Sequence, residues 1–107
     1  MTETSIQGPV AQPPDVLVQR LPEDELVLLD LVSEEYFGLD VTGTAMWLAL
    51  TETGDVDRAR KRLLDEFDVE PEVLRRDLDT FITRLSGRGL LRVGDDTTGA
   101  RPSADPG

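Results

Sequence analysis

Leu26-Val27-Leu28-Leu29-Asp30-Leu31, Ser33-Glu34 and Glu35-Tyr36-Phe37-Gly38-Leu39 read as strand, turn and strand. The first is a nearly continuous apolar run of strand length, which predicts a strand covered on both faces. The second alternates, with Tyr36 and Gly38 on one side and Phe37 and Leu39 on the other. Upstream, Val16-Leu17-Val18-Gln19-Arg20 is short and rich in strand-forming residues. Leu21-Pro22-Glu23-Asp24 joins it to the apolar run as a turn, since proline presets a turn dihedral and aspartate accepts local backbone bonds. Three strands with two tight connections predict an antiparallel meander.

Downstream the period changes to that of helices. Thr42-Gly43-Thr44 opens the first, with Thr42 the expected cap, a stripe from Ala45 to Leu50, and Gly54 at its end. Asp55 caps the second, in which Val56, Ala59, Leu63 and Phe67 recur at steps of three and four and predict one buried face. Pro71 suits the first position of the third helix, where no amide donor is needed, and Val69 is placed to staple onto Leu74. Leu74, Leu78, Phe81, Ile82 and Leu85 form its apolar stripe. Gly89 stops it, and Leu90-Leu91-Arg92-Val93 closes the domain as an extended piece. The fold class expected is α+β: an N-terminal three-stranded antiparallel sheet followed by three helices, a winged helix-turn-helix-like outline.

The ends differ from the middle. Residues 1–15 hold Gly8, Pro9, Pro13 and Pro14 with little apolar periodicity, and residues 94–107 read GDDTTGARPSADPG. Both are expected to be disordered tails around a single domain spanning 16–93. There is no cysteine and no histidine, which excludes thiol nucleophiles, disulfides, thiolate or imidazole metal sites and histidine acid–base chemistry. No secretory signal or membrane-length apolar run occurs, so a cytoplasmic protein without membrane contact is expected.

Charge is distributed unevenly. Residues 1–54 carry ten carboxylates against one cation, Arg20, whereas residues 55–92 carry nine of each sign. Arg58, Arg60, Lys61, Arg62, Arg75, Arg76, Arg84 and Arg88 lie among acids at helical spacing, where opposite charges pair. Phosphate backbones are poor partners for such a surface, so nucleic-acid binding is not expected. Glu23-Asp24-Glu25 and Glu34-Glu35 read as solvated turn charges rather than a catalytic pair. No glycine-rich phosphate loop is present, and neither a catalytic residue nor a metal or cofactor site is expected.

The strand Glu35–Leu39 is the most suggestive element, with Tyr36 and Phe37 supplying two of the chain's five aromatic residues. A meander leaves an outer strand with an open edge, which another chain can use by adding a strand. The plainer reading is that Glu34 and Glu35 guard that edge and the aromatics belong to the core.

Leu28-Leu29-Asp30-Leu31, Glu35-Tyr36-Phe37-Gly38-Leu39-Asp40 and Thr42-Gly43-Thr44-Ala45-Met46-Trp47 resemble the PqqD family. The stretches Leu63–Val69 and Leu78–Leu91 continue the likeness in order, so it covers about residues 16–93. It implies a RiPP recognition element: a non-catalytic domain that binds the leader of a ribosomally made precursor peptide and delivers it to a partner leader peptidase or other maturation enzyme. The Tyr-Phe-Gly-Leu and Thr-Gly-x-x-x-Trp spellings look closest to the lasso peptide group. A peptide chaperone for a radical enzyme in pyrroloquinoline quinone synthesis is the alternative within the family. A winged-helix transcriptional regulator is the rival from another class. Asp40 departs from the family, which often has asparagine there. Carried over by position, the likeness implies that the leader pairs with Glu35, Tyr36, Phe37, Gly38 and Leu39. It further implies that Leu74, Leu78 and Phe81 wall a groove, with Asp77 beside them as an acceptor.

Overall fold

The computed structural model describes Ile6 and residues 8–94. Its elements are β1 (Val10–Ala11), β2 (Val16–Leu21), β3 (Glu25–Asp30), β4 (Glu35–Leu39), α1 (Val41–Thr53), α2 (Val56–Glu66), α3 (Pro71–Gly87) and β5 (Arg92–Val93). Strands β2, β3 and β4 form the expected antiparallel meander in that spatial order, followed by the three expected helices. A separate two-stranded pair joins β1 to β5.

The turns follow from local chemistry. Glu23, Asp24 and Glu34 take left-handed φ values of 70°, 62° and 64°, reversing the chain where β2 meets β3 and β3 meets β4. Asp40 is the residue that caps α1: its Oδ1 accepts the Gly43 amide at 2.8 Å. Thr42, the expected cap, lies inside the helix instead, because the aspartate two residues earlier already provides an acceptor at the right offset. Asp55 caps α2 as expected, accepting the Arg58 amide at 3.0 Å. Gly54 closes α1 in the left-handed conformation, at φ 74°.

The core lies between the sheet's inner face and the helices. Leu26, Leu28 and Leu39 from the sheet meet Trp47 and Leu50 of α1, Leu63 of α2, and Leu78, Ile82 and Leu85 of α3. Thr44 is the buried polar residue of this core. Its Oγ1 accepts the Leu26 amide at 3.0 Å and donates to the Leu39 carbonyl at 3.5 Å.

Three further expectations change. β3 is covered on one face: Leu26 and Leu28 are buried, Val27 and Leu29 half-buried, because no helix of the described residues packs on the outer side. Phe67 is 41% exposed, as the chain leaves helical geometry there at the end of α2. Residues 8–15 do not form a free tail. Val10 is buried, its amide donates to the Gly54 carbonyl, and the Val56 amide donates to the Gly8 carbonyl. A two-residue strand has no detectable period, and its fit comes from backbone bonds that any side chain can make. Residues 1–5 and 95–107, also expected to be tails, lie outside the described residues.

Candidate functional site: an open strand edge beside a helix

The direction of each β4 backbone group follows from register. In an antiparallel ladder, both polar groups of a residue point to the same side and the side alternates along the strand. The Leu31 amide donates to Asp15 on the β2 side. The Leu26 amide, of opposite parity, points the other way, to the Thr44 hydroxyl beside Leu39. Asp30, Leu28 and Leu26 therefore address β4, and their register partners Glu35, Phe37 and Leu39 turn their amides and carbonyls inward to β3. Tyr36 and Gly38 are left with theirs directed outward, on an edge that no strand of the described residues covers.

That edge opens onto α3. A groove of about 230 Å³ lies between them, bounded by Phe37, Gly38 and Leu39 on one side and Phe81, Arg84 and Leu85 on the other. It continues into a second space of about 280 Å³ bounded by Asp40, Gly43, Asp77, Thr80 and Phe81. Gly43 leaves room for the α1 cap at the groove's edge: a Cβ there would sit 3.3 Å from Asp40 Oδ1. Beyond Asp77 an apolar hollow of about 140 Å³ opens among Met46, Phe67, Val69, Val73 and Leu74.

The residues expected at the site are distributed as follows. Phe37 and Phe81 are half-buried and face each other across the groove. Gly38 and Leu39 line the groove, and Asp77 lies on its rim. Tyr36 is 72% exposed and projects from the sheet's outer face, so its backbone rather than its ring reaches the edge. Glu35 has an inward amide and an exposed side chain. Leu74 belongs to the apolar hollow, which Val69 also borders. Leu78 is fully buried and faces the core instead of the groove, because one step past Asp77 turns the helix by about 100°.

Arg84 and Arg88 were not expected here. Their guanidinium carbons lie 5.7 and 5.1 Å from the centre of the Phe37 ring, within cation–π distance. The sequence carries a signal for them: Asp77, Phe81, Arg84 and Arg88 recur at steps of four, three and four along one face of α3 and onto its C-cap. Ion pairs elsewhere on the helices join Arg62 to Glu52 and Arg75 to Glu72, each at 2.7 Å. The Arg75 hydrogen bond holds the Glu72 carboxyl below its ordinary range, and neither residue borders the groove.

A short meander whose last strand turns backbone groups outward beside a helix-walled groove defines an open-edged sheet-and-helix class of domain. The chain belongs to the PqqD family, described as coenzyme PQQ synthesis protein D, whose model matches residues 25–91. Two solved structures are similar. "TbiB1 in Complex with the TbiA(beta) Leader Peptide" has 30% sequence identity and TM-score 0.73, covering 80% of this chain and 99% of that one. "Lasso peptide synthetase B1 complexed with the leader peptide" has 26% identity and TM-score 0.68, covering 77% of this chain and 95% of that one. No curated protein matches the chain.

Proposed function

We propose that this protein is a RiPP recognition element of a lasso peptide pathway, which holds a precursor's leader segment as a strand added to β4. The observation that carries this reading is the pair of outward-facing residues, Tyr36 and Gly38, on a groove walled by α3. Both similar structures hold leader peptides, which supports the same ligand class here. Each backbone bond added contributes about 1 kcal/mol net, so two residues supply a modest, sequence-independent base to which side chains in the groove add.

The protein does no chemistry itself in this reading; it presents the peptide to a leader peptidase or other maturation enzyme. The sheet's outer face supports a protein partner: Leu17 and Tyr36, 50% and 72% exposed, flank Leu29 across the three strands, and such apolar clusters mark interaction surfaces. The acidic strand half, net −9 over residues 1–54, argues against a nucleic-acid partner. No helix among the described residues is long and apolar enough to cross a membrane, and we place the protein in the cytoplasm. The family's description favours one second reading, delivery of a precursor to a radical enzyme in quinone-cofactor synthesis.

Amide exchange with and without a synthetic lasso precursor leader peptide tests the reading. Slowing is expected at Tyr36 and Gly38 and in α3 around Asp77. Protection confined to α2, with β4 unchanged, rules out strand addition at this edge.

A further inference from the structure

We infer that Arg84 and Arg88 form a clamp for an acidic side chain of the bound peptide, and that this contact sets the register of the added strand. The inference rests on strand addition at β4. Phe37 projects from β4 toward α3, and the residue paired with it on an added strand projects to the same side. That residue's side chain meets the two guanidiniums stacked on the Phe37 ring. Among the described residues neither arginine has a carboxylate partner, so their N–H edges remain available. A guanidinium resting on an aromatic face still donates in its own plane, where a carboxylate can accept two bonds.

The charge order along the groove makes the contact directional. β4 runs from Glu35, near Arg88, to Leu39, near Asp40, while α3 runs the opposite way from Asp77 to Arg88. Two residues along the added strand, the next side chain on this face lies opposite Leu39. There Asp40 and Asp77 disfavour a second acid. A strand slipped by two residues would bring its carboxylate from the arginines to these aspartates. Asp30 and Glu35 share a small cleft with Arg88, so the local charge is near balance. A free anion therefore gains little, whereas a carboxylate held in place by backbone pairing has already met its ordering cost.

The experiment uses a displayed library of random 14-residue peptides, selected on the full chain. Recovered peptides are expected to carry Asp or Glu at one position of a shared alternating pattern. Changing that acid to its amide should weaken binding by about ten-fold on the natural chain and by less than two-fold on the R84Q/R88Q double variant. Selection on R84E/R88E should place Lys or Arg at the same position. Both arginines are exposed, so these variants retain the core. Peptides that protect the Tyr36 and Gly38 amides yet show no preferred acid, or bind R84Q/R88Q with the acid still required, overturn the clamp and leave strand addition intact. Peptides that carry the acid but leave those amides unprotected overturn the strand-based register together with the reading beneath it.

Discussion

The Thr44 hydroxyl ends the β3–β4 ladder. It stands between the Leu26 amide and the Leu39 carbonyl, taking a bond from one and giving one to the other. Valine has nearly the same shape and neither capacity, so Thr44→Val would bury an unsatisfied amide. We expect a loss of about 1–3 kcal/mol, read as a lower urea midpoint with unchanged slope. The same residue exposes what sequence could not supply. Alternation assigned Tyr36 and Gly38 to one face, but whether a strand's even or odd amides face its partner depends on register with neighbours. That parity separates two proline probes. Tyr36→Pro removes an outward donor and should weaken peptide binding at least ten-fold with little change in stability. Glu35→Pro removes an inward donor and should destabilise the fold itself. Equal stability losses in the two variants, measured by denaturant titration, would contradict the assignment.

Among elements, α3 serves two surfaces. Leu74, Leu78, Ile82 and Leu85 are its buried stripe, and Asp77, Phe81, Arg84 and Arg88 face or border the β4 groove. Helical spacing made the first stripe legible. It could not apportion Leu78 and Phe81, because the groove wall adjoins the core and both are apolar. Asp77 is the cleaner probe of the wall. It is exposed and borders the groove's second space, so Asp77→Ala should change stability by less than about 0.5 kcal/mol. A drop in leader affinity measured by calorimetry, with the thermal midpoint preserved, is the expected result. Unchanged affinity would confine the ligand to the Phe37 end of the groove. Capping was half legible: Asp55 sits directly before its helix, whereas Asp40 and Thr42 are both competent acceptors two residues apart, and the geometry of the strand exit selects the aspartate.

For the whole molecule, charge was legible from sequence and its consequence is testable. The first 54 residues carry a net −9, a field that attracts a basic complement on whatever peptide or protein binds. Affinity should fall with added salt, and more gently than the steep dependence of phosphate binding. A flat response from about 0.05 to 1 M salt, a range over which screening tightens severalfold, would leave backbone and apolar contacts as the whole of the interaction. The N-terminal segment was illegible for a physical reason. Residues 8–11 are held by backbone bonds to Gly54, Val56 and β5, and such bonds leave no pattern in side chains. The β1–β5 pair also fixes the domain's doorway. Among the described residues, the segments that lead into the meander and out of α3 run side by side as β1 and β5, roughly 5 Å apart. Neither belongs to the sheet that carries β4. A unit with such neighbouring junctions can be spliced into a surface loop of a host protein without prising that loop open. A groove built on such a unit travels with it as a cassette, its strand edge and helix wall unchanged by the host.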